Sequence, residues 1–270
     1  MNKLKLISIL LGPLVVGNAQ AYTPKNMDVF NNVINAMSEE DIKGFLSNMD
    51  SGIGRSVTKV NASKLISVYK NNEMAGDKQF KGKPIRINTV ASAIKTDFSG
   101  DAYIVANGRN NYESVMLKID KDDERNLKIN KGNKIDFVCY GGGMVINTPV
   151  LNSCMYPKDF AVMVYDNIKK DIQRISNKNY KPLSIMEGQI AYVAILLENK
   201  TQESCVTAGV KCASEVSKAS SFLDNAKKED FSDEQLGEVK RIVEYLETEK
   251  NLPYAPVKPK ESTRLKKLLG

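Results

Sequence analysis

The sequence predicts an α+β protein: a five-stranded β-barrel between an N-terminal helical segment and a C-terminal helical region. Two observations predict it. Between residues 64 and 156 the apolar residues recur in short alternating runs broken by Gly, Asn and Asp clusters, the signature of short strands. On both sides of that stretch the apolar spacing changes to a helical period.

The elements follow in order. Lys3 and Lys5, an apolar stretch from Leu6 to Gly17, and Asn18-Ala-Gln-Ala21 have the form of a cleavable export signal, cut after Ala21. The apolar run falls short of the ~20 residues a spanning helix needs. The mature chain is therefore expected to start at Tyr22 and to work in the periplasm or outside the cell. In 22–63, Met27, Phe30, Val33, Ile34 and Met37 fall at helical spacing, a second helix is expected from Ser38, and Ser51–Ser56 reads as a flexible break.

Residues 64–156 form the expected barrel. A helix over Ala62–Gly76 leads into a long strand, Pro84–Lys95, whose apolar phase shifts after Val90, as at a bulge. Asp101–Ala106 and Tyr112–Ile119 form a hairpin around Asn107–Asn111, with Val115, Leu117 and Ile119 inward and Tyr112, Ser114, Met116 and Lys118 outward. A short helix, Asp123–Ile129, separates them from strands Lys134–Tyr140 and Met144–Cys154, with Gly141–Gly143 as the tight turn. Five strands with a helix between the third and fourth is the order of an OB-fold barrel. After it, helices are expected over Asp159–Ile175, Ser184–Leu197, Ala213–Asn225 and Ser232–Glu249, the last opened by the capping-box pattern Ser232-Asp-Glu-Gln. Residues 250–270 read as a Pro-containing linker, Pro253–Lys260, and a disordered basic tail.

Composition narrows the chemistry. The chain has no histidine, which removes Ser-His-Asp and Cys-His catalysis and His-ligated metals. The four cysteines are expected as two local disulfides, Cys139 with Cys154 and Cys205 with Cys212, in an oxidising compartment. With no Cys-x-x-Cys, neither a zinc site nor a redox pair is indicated. The acidic run Asp120–Glu124 lacks the glycine and terminal Glu of a calcium loop and reads as a solvated turn. No metal or cofactor is expected. Of the +7 formal charge, residues 64–156 carry 14 basic and 10 acidic side chains, and residues 250–270 carry 6 and 1.

The residues of this stretch resemble the exported OB-fold family called tRNA_anti-like. The resemblance rests on Tyr69, Asn72-Glu73, Ala75, Asp77, Phe80, Lys81-Gly82-Lys83, Val90, Ile94, Gly100, Tyr103, Val115, Leu127, Lys131-Gly132, Cys139, Gly141, Leu151 and Cys154. Asn88 stands where the family has a strand glycine, and Phe137-Val138 replace the usual glycine before the first cysteine. The family likeness implies no established activity and no catalytic residues.

The expected function is therefore a non-enzymatic binding module of the bacterial envelope, for a protein or a small envelope ligand. The first alternative is single-stranded nucleic acid on the strand 2–3 face, where aromatics stack bases and cations follow phosphates; Tyr112, Lys118, Arg109 and Tyr103 are the candidates. The second is a hydrolase built on two carboxylates, which no spacing here identifies. The basic tail is a candidate contact for an anionic membrane surface or an acidic partner.

Overall fold

The structure, a computed structural model, describes residues 22–223 and 225–256. The expected signal and the basic tail lie outside the described residues. The chain divides into two compact units, one of residues 53–162 and one joining 22–52 to 163–256.

The first unit is a mixed α+β sheet unit. Asn61 caps helix α3 (Ala62–Asn71), its side chain accepting from Lys64 N at 2.9 Å. The single helix expected over Ala62–Gly76 is two. Asn72 takes an extended conformation, ends α3 and caps α4 (Glu73–Phe80) by accepting from Ala75 N. Gly76 lets the turn close on Tyr69: a Cβ there would stand 2.5 Å from the ring.

The strands are β1 (Thr58–Val60), β2 (Pro84–Val90), β3 (Ala93–Thr96), β4 (Ala102–Asn107), β5 (Ser114–Ile119), β6 (Lys134–Val145) and β7 (Thr148–Met155). Their ladders run β1-β2-β6-β7-β5-β4-β3, an open order of seven strands rather than the expected closed barrel of five. Two features account for the difference. Thr58–Val60, inside the expected N-terminal helical segment, is a strand and pairs in parallel with Ile85–Ile87. The long first strand divides at Ala91-Ser92, directly after the apolar phase shift.

Gly141–Gly143 is not a turn. It lies inside β6, and the chain reverses at Ile146-Asn147, both at positive φ. The glycines serve another purpose. Lys81–Lys83 crosses β6 at Gly141, with Gly82 N donating to Gly141 O at 2.8 Å and Gly141 N to Lys83 O at 3.1 Å. A Cβ on Gly141 would stand 2.2 Å from Phe80 O. Gly142 is the extra residue where the β6–β7 register shifts. The helix expected over Asp123–Ile129 is only a 3₁₀ turn, Asn126–Lys128.

Alternation sends Ile85, Ile87, Ile104, Ala106, Val115, Leu117, Ile135, Phe137 and Leu151 into one core, joined by Leu65, Ile66 and Tyr69 from α3 and by Phe80. Burying each large side chain stabilises by roughly 1.5–3 kcal/mol. Cys139 and Cys154 bond across β6 and β7 within this core, their Cα atoms 4.0 Å apart.

The second unit is helical. Helix α1 (Met27–Leu46) is continuous through Ser38, whose hydroxyl donates to Asn35 O, so no second helix starts there. The expected flexible break holds a short helix, α2 (Gly52–Arg55), which runs from the last residue of 22–52 into the first unit. Helix α5 (Pro157–Ile172) contains the boundary between the units. Then come α6 (Ile185–Thr201), α7 (Val210–Phe222) and α8 (Asp233–Thr248), the last with the expected Ser232–Gln235 capping box. Cys205 and Cys212 are bonded between α6 and α7. Pro253 and Tyr254 are not free linker: their carbonyls accept from Ile185 N and Met186 N, which α6 leaves without partners in its first turn.

Glu187 on α6 is fully buried and accepts from Tyr180 Oη at 2.9 Å and Leu183 N at 2.8 Å. Burial pushes its carboxyl up to about 7 against those two hydrogen bonds. The folded state thus holds this proton more tightly than the unfolded chain does. Its contribution is full below the ordinary carboxylate range and is lost as pH rises through about 7. Urea melts at pH 5 and pH 7 are expected to show a loss of about 2 kcal/mol from this group. Glu187→Gln, which keeps an acceptor and cannot ionise, should flatten that dependence.

Candidate binding face

Strand register assembles the candidate face. Lys95 on β3 lies opposite Tyr103 on β4, and Tyr103 lies opposite Lys118 on β5. Directly opposed residues share a face with Cβ atoms about 4.5–5.5 Å apart. The next row on that face is Ala93, Val105 and Met116, with Val150 of β7 beyond. The residues between, Ile104 and Leu117, point into the core. The inward and outward assignment expected for β5 therefore holds, and Tyr103 faces outward, partly exposed. Among the described residues, no ion pair or hydrogen bond engages the Lys95 or Lys118 ammonium group.

Phe98 projects fully exposed from the turn between β3 and β4. Asp97 holds that turn by accepting from Ser99 N and Asp101 N at 2.9 and 3.0 Å, and Gly100 takes a positive φ. The Lys121 ammonium lies 4.0 Å from where a Cβ of Gly100 would be, beside the same turn.

The four sequence candidates divide into two pairs. Tyr103 and Lys118 come together. Arg109 and Tyr112 sit in the β4–β5 loop beyond the Asn107–Ser114 pair, at the opposite end of the hairpin. Lys118 stands four strand steps from Ser114, about 13 Å. Tyr112 is fully exposed; Arg109 acts on Glu113, whose carboxyl is held below its usual range mainly by the Lys70 hydrogen bond. Sequence reasoning missed Lys95 and Phe98. Lys95 ends the stretch after the phase shift, where alternation no longer says which side a residue faces.

Two other charged clusters in this unit are structural. Lys81 pairs with Asp77 at 2.9 Å, and Asp77 accepts from Tyr69 Oη at 3.3 Å beneath Gly143, which ties α4 to β6. Arg125 bonds Asp123 and Asp159 and lies 4.1 Å over the Tyr156 ring. Residues 120–124 form a turn, with Asp120 accepting from Asp122 N. Among the described residues, no group of three or more Cys, Asp or Glu side chains is placed to hold a metal ion. No described helix is long and apolar enough to cross a membrane.

Charge is divided between the units. Residues 53–162 carry 17 basic and 11 acidic side chains, a net +6. Residues 22–52 and 163–256 carry 15 and 20, a net −5. The face of Lys95, Tyr103 and Lys118 thus lies on the basic unit.

No curated protein matches the chain. A family model does, over residues 3–155, which reaches well upstream of the stretch whose residues carry the resemblance and ends at the last residue of β7. That match spans more than half of the sequence, and the chain belongs to the tRNA_anti-like family.

Proposed function

We propose that this protein is an exported, non-enzymatic binding module of the bacterial envelope. Its outward β3–β4–β5 face takes an anionic partner, most simply an acidic segment of an envelope protein. The observation that carries the reading is the row Lys95–Tyr103–Lys118: an aromatic ring between two lysines that no carboxylate among the described residues engages, on a unit of net charge +6. Ala91 N donates to Asn133 O, beside β6, and the next residue, Ser92 N, to Val105 O on β4, so the short link between β2 and β3 bonds toward both β6 and β4 and holds β3 in place. The disulfides are compatible with a location outside the cytoplasm.

The same row favours one second reading, single-stranded nucleic acid, since a ring flanked by cations matches a stacked base between phosphates. One experiment separates the two. Oxidised protein from Tyr22 to Pro256, which keeps the Pro253 and Tyr254 carbonyls on α6 and omits the basic residues beyond, is titrated with a fluorescent glutamate-rich peptide and with fluorescent single-stranded DNA and RNA. The joint change Lys95→Glu and Lys118→Glu is expected to weaken binding of the preferred probe at least tenfold, since each cation near an anionic ligand contributes about 1 kcal/mol. Binding should also fall with added salt. Affinity indifferent to both charge reversals removes the face from the account.

A further inference from the structure

Tyr22, the residue after the expected cut, is an anchor of the helical unit rather than a loose end. It is 2% exposed, and its hydroxyl donates to Glu198, itself 1% exposed on α6. The other oxygen of that carboxylate accepts from Asn26 N at 3.3 Å, immediately before α1. Pro24 is buried. Thr23 N donates to Glu234 Oε1, at 3.5 Å, in the first turn of α8, and Lys25 Nζ reaches Asn199 at 3.0 Å. Burial pushes the Tyr22 hydroxyl far above its usual range, with Glu198, Glu234 and Glu238 adding to the effect, so three carboxylates act on this one segment.

A chain that begins at Tyr22 brings a new charge to this place. Its α-amino group, ordinarily protonated at neutral pH, lies one residue from Thr23 N, which already donates to Glu234. A chain that continues upstream has a neutral amide there. We propose that the free α-ammonium group of Tyr22, released by cleavage after Ala21, is bound by Glu234, so that processing itself stabilises the helical unit. This rests on the reading of residues 1–21 as a cleaved signal.

The test uses the full exported chain in two forms: native, and with Gly-Ser inserted between Ala21 and Tyr22, which moves the new terminus away from Glu234. Intact mass establishes each starting residue, and thermal melting is followed at low ionic strength. The native start is expected to melt about 2–4 °C above the extended one. Glu234→Gln should lower the native start alone and close the gap. Equal melting of the two forms, or a gap that survives Glu234→Gln, overturns the pairing. A mass that places the start elsewhere overturns the cleavage reading instead. The pairing then remains measurable on chain released at Tyr22 from a cleavable tag, where the same gap supports it and its absence refutes it.

Discussion

Gly141→Ala is expected to cost more than about 4 kcal/mol and to unfold the sheet unit at temperatures where the native protein is intact. The added Cβ would meet Phe80 O at 2.2 Å, Phe80 C at 2.7 Å and Lys81 N at 3.2 Å, all of them backbone, so no rotamer change relieves it. Relief requires Lys81–Lys83 to leave β6. That movement breaks both hydrogen bonds between Gly141 and this segment and withdraws Phe80, 1% exposed, from the core. Gly237 on α8 is the control. A methyl added there meets nothing within 4 Å, and Gly237→Ala should leave stability equal or higher by up to ~1 kcal/mol. Thermal melting and near-ultraviolet circular dichroism of the two variants would read the contrast. A Gly141→Ala protein that melts like the parent would mean that Lys81–Lys83 does not cross β6 as described.

Asp136→Ala is expected to cost about 3 kcal/mol, well above an ordinary surface ion pair. Arg86 points to the outer side of β2, with its side chain only 7% exposed. Asp136 takes it in a fork, at 3.0 Å from Nε and 2.6 Å from Nη2. Removing the carboxylate takes this fork from a guanidinium whose side chain is buried, which costs more than losing a pair in water. Arg86→Met combined with Asp136→Leu should recover most of the loss, because two apolar side chains of similar size carry no such penalty. Denaturant melts of the single and double variants measure this. A double variant as unstable as Asp136→Ala would contradict the account.

How much of the fold is legible in the sequence depends on which physical signal each feature leaves. Alternation in Ser114–Ile119 places Val115 and Leu117 inward because a period of two is local information. Ser232 and Ser184 are readable as helix starts because a cap is encoded within three residues. The two disulfides are readable from an even number of cysteines falling as two local pairs. The misreadings share a cause: a tertiary partner reassigns a local signal. Gly141–Gly143 looks like a turn until Lys81–Lys83 is laid across it. Ser38 looks like a cap until its hydroxyl turns back to Asn35 O inside a continuous helix. Thr58–Val60 is too short to read as a strand without its parallel neighbour. The face itself is half legible. Tyr103 and Lys118 are sequence candidates, but their opposition, and the addition of Lys95, come from ladder register across three strands, which no local pattern carries. Arg109 and Tyr112 group with them in sequence because a hairpin loop is close along the chain, although its strands hold the loop at the far end.

The most direct test of the binding face is a backbone amide map by nuclear magnetic resonance of isotope-labelled, tail-deleted protein titrated with the glutamate-rich peptide and, separately, with single-stranded DNA. The amides of Lys95, Tyr103, Val105, Met116 and Lys118, with Phe98 at the adjoining turn, are expected to shift together and saturate with one affinity. Shifts confined to residues 163–256, or the absence of any saturable shift on β3, β4 and β5 with either probe, would contradict it.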